Sequence, residues 1–392
     1  MKKSKHPETN AIRTQAKRSV HKEHSVPIYA TSSFVFDSAD EARAVFAEEI
    51  DGYQYTRFSN PNNDEFIEKL SMMEGVETGV ATASGMAAIF LSLTAHLQAG
   101  DHIVVSQSIF GSTHQIITNL LPRWGISHTY VDIDDNDDWE QAVMPQTRLL
   151  FVETPSNPSL DLCDLEYLGD LAKRNNLLFV VDNTFATPYL QNPAKFGAHL
   201  ICHSATKFID GQGRVLGGAI LGPKSIIKDV LPMARQTGAS LSPFSSWILS
   251  KSLETLAIRM DRHCANALAI AQFLEKSKEV KTVKYPFLPS HPQFDLAKKQ
   301  MTLGGGLVSF ELHGGADRCK NFINNVEMIS HTSNLGDSRT SITHPASTTH
   351  SKLTSEERER VNITDGLIRL SAGLEHIDDI IIDLQKAIDK SK

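Results

Sequence analysis

An acid and an amine stand out in this 392-residue chain because each follows a short apolar run. Asp182 comes directly after Leu177–Val181, and Lys207 lies 25 residues further on, just past His199–Cys202. A lysine whose pKa is lowered by its surroundings can form a Schiff base with a carbonyl compound. Ser204 and Thr206 place two hydroxyls beside that amine. Ser84-Gly85-Met86 adds a glycine turn at a helix start, where free N–H groups and the helix dipole attract an anion. Phe110 supplies a flat ring. Taken singly, each feature has an ordinary reading: Ser-Gly is a common helix cap, and most lysines are surface lysines. Together they meet the needs of a phosphorylated aromatic aldehyde. The amine holds the aldehyde, the hydroxyls and amides hold the phosphate, and the carboxylate pairs with a protonated ring nitrogen while the aromatic residue stacks.

These residues must be carried by elements that bring strand ends together. Short apolar runs at Ile103–Val105, Leu149–Val152, Leu177–Val181, His199–Cys202 and Gly218–Leu221 read as buried strands. Helical spacing recurs at Asn63–Met73, Ser84–Leu97 and Asp164–Arg174. Apolar strands alternating with helices predict an α/β domain with a mostly parallel sheet covered on both faces. In such sheets ligands bind beyond the carboxyl ends of the strands, which is where Glu153–Asn157, Asp182–Thr184 and His203–Lys207 fall. After Pro243 the pattern changes. One long helix is expected over 245–277, then strands at Val280–Tyr285, Gly306–Leu312 and Leu367–Leu370, with helices at Ala316–Val326 and His376–Ile388. This predicts a smaller α+β domain. The expected division is an extended, polar arm over 1–60, a cofactor-binding domain over 61–245 and a substrate domain over 246–392.

Composition removes several classes. The 39 Lys and Arg against 46 Asp and Glu give a net charge of −7, which argues against a general nucleic-acid binder. The basic, polar N-terminus lacks the apolar run of a secretory signal, and no apolar run approaches the roughly 20 residues that span a bilayer. Cys163, Cys202, Cys264 and Cys319 form no CxxC pair and are expected as reduced thiols, so a cytoplasmic protein is expected. His344 and His350 have no acid or cysteine nearby at ligand spacing, so no metal site is expected. The glycines of 211–218 lack the strand-before, helix-after context of a dinucleotide loop.

The stretch Val180–Leu190, followed by His203-Ser204-Ala205-Thr206-Lys207, resembles the signature of the Cys/Met-metabolism family of pyridoxal-phosphate enzymes. The resemblance extends over nearly the whole chain. It takes in Tyr55-Thr56-Arg57, Ser84-Gly85-Met86, Glu153–Pro158, His344–Ser347 and Leu370–Glu375. It implies fold type I (aspartate-aminotransferase-like) for the large domain and pyridoxal 5′-phosphate as cofactor. By position it makes Lys207 the lysine that holds the aldehyde and Asp182 the partner of the ring nitrogen. Ser204, Thr206 and the amides of Gly85 and Met86 become the phosphate cradle, with Ser84 and Thr184 also in the cofactor set. Asn157 falls near the phenolic oxygen, and Arg369 grips the substrate α-carboxylate, to which its fork is suited. Tyr55 and Arg57 match residues lent to a neighbouring subunit's phosphate site, which implies at least a dimer and, within the family, a homotetramer of two such pairs.

Two departures narrow the branch. In the lyases and cystathionine γ-synthases of the family the stacking residue is a tyrosine; here it is Phe110, which keeps the stacking and loses the phenol. The substrate motif appears as Asn334-Leu335-Gly336-Asp337, which looks like the sulfhydrylase branch and makes Asn334 a substrate contact. Asp210–Gly218 is similar to O-succinylhomoserine sulfhydrylases. The expected reaction is therefore γ-replacement: O-succinylhomoserine and sulfide give homocysteine and succinate, in methionine biosynthesis. The alternatives are the acetyl ester, cystathionine γ-synthesis, γ-elimination from methionine or cystathionine, and a scaffold that binds cofactor without turnover.

Overall fold

The computed structural model describes residues 4, 6–351, 354, 358 and 362–392. Seven strands form one sheet: β1 (Thr78–Thr82), β2 (His102–Ser106), β3 (Ser127–Val131), β4 (Thr147–Glu153), β5 (Leu178–Asp182), β6 (Leu200–Ser204) and β7 (Gly218–Gly222). Their spatial order is β1-β7-β6-β5-β4-β2-β3. The pairs β6–β5, β5–β4, β4–β2 and β2–β3 are parallel, whereas β7 runs antiparallel to both β6 and β1. The expected mostly parallel α/β sheet is thus present. Its central strands are buried on both faces, which is why they read as unbroken apolar runs rather than alternating ones.

Alternation still decides which side chain meets which face. Phe179, Val181 and Ile201 pack with the helix Pro61–Glu74, through Phe66, Ile67, Leu70 and Met73. Val180, Leu200 and Cys202 face the other way, against Ala88, Ile89 and Leu91 of the helix Gly85–Thr94. The flanking helices start where capping side chains satisfy free N–H groups. Asn60 accepts from Asn62 N–H, Ser84 from Ala87 N–H, and Asp164 from Glu166 and Tyr167 N–H. Each such cap contributes about 1 kcal/mol. Gly75, at φ 75°, closes Pro61–Glu74 in a conformation that glycine adopts freely.

A second sheet of five strands holds β8 (Val280–Lys284), β9 (Leu307–Leu312), β10 (Ser330–His331), β11 (Ser341–Thr343) and β12 (Leu367–Ser371), in the order β10-β11-β12-β9-β8. All its pairings are antiparallel except β10–β11. Its core includes Phe310, Phe322, Leu370 and Leu384. Arg369 sits in β12 opposite Thr343 of β11 and Ser309 of β9.

Several expectations are corrected. The single helix over 245–277 is two helices, Pro243–Leu253 and Leu256–Lys276. The chain turns at Thr255 (φ −115°, ψ 7°), and Glu254 there reaches Lys69 Nζ at 3.1 Å. The helix after Ser84 stops at Thr94 rather than Leu97. The first sixty residues are not wholly extended, since they carry the short helices Pro7–Arg13 and Ala39–Phe46. All four cysteines are free and buried. No helix among the described residues is long and apolar enough to cross a membrane.

Candidate active site

The carboxyl ends of β4, β5 and β6, the start of the helix Gly85–Thr94 and the loop after β10 enclose a cavity of about 300 Å³. Of the residues expected in the site, Ser84, Gly85, Met86, Phe110, Asn157 and Asp182 line it. So do Thr184, Ser204, Thr206, Lys207, Asn334 and Arg369.

Lys207 rises from the turn that follows β6, and its backbone N–H donates to Ser204 O at 3.2 Å. Its Nζ donates to Asn334 Oδ1 at 2.7 Å. Burial, reinforced by the positive charge of Arg369, pulls its pKa down to about 8. An amine there is neutral often enough near physiological pH to act as nucleophile and base.

Asp182 ends β5, and its Oδ1 accepts the Thr184 N–H at 3.0 Å. The Thr184 hydroxyl in turn accepts the Ser204 N–H at 2.8 Å, which ties the ends of β5 and β6 together. Burial raises the pKa of Asp182, against the lowering pull of its bonds to Thr184 and of His203. A cationic ring nitrogen placed against this carboxyl would favour its ionised form.

The anion cradle is shaped by a close approach. A side chain at Gly85 would put its Cβ 2.5 Å from Ser204 Cβ and 2.8 Å from Ser204 Cα, so only glycine lets the helix start come this near. Thr206 closes the far side: its hydroxyl accepts Gly217 N–H at 3.1 Å and reaches Gly217 O at 3.3 Å.

Arg369 is buried, and burial lowers its pKa to about 10. Its fork donates to Asn157 Oδ1 at 3.0 Å and to the carbonyls of Ser333 and Asn334 at 2.8 and 3.4 Å. Its Nε is buried without a partner among the described residues. A buried guanidinium whose terminal nitrogens are fixed, in a residue that lines the cavity, suits a carboxylate ligand.

Glu153 falls in the ligand-end stretch 153–157 but carries no expected role; it ends β4 and stands in register with Asp182. It lines the cavity, and its Oε2 accepts the Phe110 N–H at 2.9 Å. It thereby caps the helix Gly111–Gln115, whose N-cap residue Phe110 has no side-chain cap of its own. Burial and the neighbouring Asp182 raise its pKa. The strand-end position it shares with Asp182 marks it in the sequence, but nothing there assigns it a role. Ser333 and Thr349 also line the cavity, and nothing in their local sequence marks them.

Tyr55 and Arg57 stand apart from this cavity. Tyr55 is exposed, and the Arg57 guanidinium lies 4.7 Å from the Phe58 ring centroid and donates to the carbonyl of Arg235.

The residues present fit pyridoxal 5′-phosphate. The fit rests on an amine and a buried carboxyl in one cavity, a cradle that a Cβ would fill, and a buried guanidinium with one orphaned N–H.

Comparison with known proteins agrees with that geometry. The family model described as Cys/Met metabolism PLP-dependent enzyme matches residues 8–389. An O-succinylhomoserine sulfhydrylase of Pseudomonas aeruginosa is 44% identical over 97% of this chain and 94% of its own. An L-methionine γ-lyase of Porphyromonas gingivalis is 44% identical over 93% of this chain and 92% of its own. A Campylobacter jejuni structure described as an O-acetylhomoserine (thiol)-lyase, solved with N′-pyridoxyl-lysine-5′-monophosphate, superposes with a TM-score of 0.95. It is 35% identical and covers 98% of this chain and 99% of its own. Fold, cavity and relatives converge: this chain is a fold type I, pyridoxal-phosphate-dependent enzyme and belongs to the Cys/Met-metabolism family.

Proposed function

We propose that this enzyme carries out γ-replacement on O-succinylhomoserine with sulfide, giving homocysteine and succinate. The observation that carries this reading is the 2.7 Å hydrogen bond from Lys207 Nζ to Asn334 Oδ1. The residue that opens the sulfhydrylase-like Asn-Leu-Gly-Asp motif touches the reacting amine itself. Phe110 supports the same branch, because it stands where the lyases and cystathionine γ-synthases of the family carry a tyrosine.

When bound, pyridoxal phosphate supplies an electron sink for negative charge developing at the substrate's α and β carbons. Arg369 grips the α-carboxylate, with Asn157 and the carbonyls of Ser333 and Asn334 holding its fork in place. Lys207 removes the Cα proton and returns protons in the later steps, a dual role suited to its pKa of about 8. Phe110 has no hydroxyl to share that work, so proton transfer falls to Lys207 or to water. Asp182 would pair with the cofactor's ring nitrogen and Asn157 would lie near its phenolic oxygen, while Gly85, Met86, Ser204 and Thr206 would hold its phosphate. In the net reaction the Cγ–O bond breaks, a Cγ–S bond forms, and one proton of hydrogen sulfide passes to the departing succinate.

Tyr55 and Arg57 are assigned to the cavity of a neighbouring copy, within a homotetramer built from two such pairs. That neither lines its own chain's cavity supports this. The four buried thiols support a reducing, cytoplasmic setting.

The test is product identity. Purified enzyme with sulfide and the succinyl ester is expected to give homocysteine, faster than with the acetyl ester, and Lys207→Ala is expected to give none. Methanethiol from methionine, or cystathionine from cysteine and ester, as the faster reaction would overturn the assignment. Dilution that dissociates the oligomer is expected to lower the rate.

A further inference from the structure

Beneath the cavity, on the opposite face of the seven-stranded sheet, lies a buried polar cluster that the reaction does not use. Strand alternation places it there. Asp182 and Cys202 are in register and share the face of the helix Gly85–Thr94, so Asn183 and His203, one residue on, turn to the face of Pro61–Glu74. Glu74, the last residue of that helix, meets them. Its Oε1 lies 2.6 Å from His203 Nε2 and accepts Asn183 Nδ2 at 2.8 Å. Both Glu74 and His203 side chains are completely buried. Asn183 Nδ2 also donates to Gln191 O at 2.9 Å, and Gln191 Nε2 donates to Thr154 O at 2.9 Å. The cluster therefore ties one helix end to the residues that follow β4 and β5 and to the last turn of β6.

An acid is doubly disfavoured at this spot. It is removed from water, and it sits at the negative end of a helix dipole. Hydrophobic packing alone would suit the position better, so the contacts that Glu74 makes must offset both costs. Asn183 and His203 are the immediate neighbours of Asp182 and Ser204, which line the cavity. His203 Nδ1 has no partner among the described residues, so Glu74 is the contact that orients the ring.

We propose that Glu74 and His203 are positioning residues: gripped from the far face of the sheet, the ends of β5 and β6 hold Asp182 and Ser204 where the cofactor needs them. A buried hydrogen-bonded cluster of this kind fixes geometry more than it adds stability. The inference concerns cofactor binding and is independent of which ester is the substrate.

The test is titration of the cofactor-stripped, full-length chain with pyridoxal phosphate, followed by its visible absorption band. Glu74→Leu and His203→Leu are expected to raise the dissociation constant about tenfold or more, since displacements near 1 Å are costly at such sites. His203→Gln, whose amide N–H can take the place of the Nε2 donor, is expected to recover most of the loss. His203→Asn is too short to reach Glu74 and is expected to recover none of it. Leu384→Ala, in the core of the five-stranded sheet, controls for general destabilisation and is expected to bind as the wild type does. The proposal is overturned if His203→Leu binds within twofold of wild type, or if Leu384→Ala loses affinity equally. If the leucine variants do not fold, equal affinity of His203→Gln and His203→Asn overturns it.

Discussion

Lys207 Nζ and Asn334 Oδ1 stand 2.7 Å apart, joining the turn after β6 of one sheet to the loop after β10 of the other. The amine is thus held from both sheets while burial brings its pKa to about 8. At pH 8 about half of such an amine is neutral, against well under about 1% for an ordinary lysine. In the cofactor-stripped enzyme, brief reductive alkylation at pH 8 should therefore label Lys207 about a hundredfold faster than exposed lysines. Peptide mapping by mass spectrometry reads this out, and labelling at the ordinary rate would contradict the shifted amine.

Arg369 offers a second check, because its fork is pinned by Asn157 and two backbone carbonyls while Nε stays unpaired. Lysine keeps the charge but not the planar fork. Arg369→Lys is expected to lower kcat/KM for the ester roughly tenfold to a hundredfold, the equivalent of one charged hydrogen bond. Cofactor affinity should be unchanged. A selective loss of cofactor instead would move Arg369 from substrate to cofactor contact.

Gly85 is predicted to be irreplaceable for steric reasons. Alanine would bring Cβ to 2.5 Å from Ser204 Cβ, and neither the helix start nor the strand end can yield cheaply. Gly85→Ala should weaken pyridoxal phosphate binding by about tenfold or more, in line with the cost of overpacking. Equilibrium titration of the stripped enzyme measures it.

Acid should destabilise the chain through two buried imidazoles. His263 contacts Ala372 O at 2.7 Å through Nδ1, and burial lowers its pKa to about 4. His350 is lowered to about 4 by burial and by Arg369. The unfolded chain takes up protons at these histidines near pH 6.5, but the folded chain resists until about pH 4. Stability is therefore full above pH 6.5 and falls as pH drops toward 4. Each contributes a loss of about 2 kcal/mol by pH 5. Urea midpoints at pH 7.5 and 5 should show the fall, and His263→Gln should reduce it.

How much of this was legible in the sequence follows from what buries each element. β4, β5 and β6 were plain because strands covered on both faces are continuous apolar runs, and their polar terminal residues then mark the ligand end. β1 (Thr-Gly-Val-Ala-Thr) and β3 (Ser-His-Thr-Tyr-Val) escaped because edge strands tolerate small and polar residues. The helix Lys224–Thr237 was hidden by Pro232 within it. The break at Thr255 left no Pro or Gly to mark it, since it is the tertiary contact of Glu254 with Lys69 that lies there. In the site, residues belonging to contiguous motifs were found. Glu153 gave only a positional hint, and the Glu74–His203 pair gave none, because its partners are brought together by the sheet from 129 residues apart.

The order β1-β7-β6 has a consequence for biosynthesis. Gly218 of β7 is flanked by Thr82 on one side and Ser204 on the other, so the hydrogen-bonded sheet connection between the two walls of the anion cradle runs through this late strand. A chain still being translated has no complete cradle until residues 218–222 have left the ribosome and slotted into place. The cavity around the amine at 207 also needs Asn334 and Arg369, so its wall is closed only once the second sheet has been made.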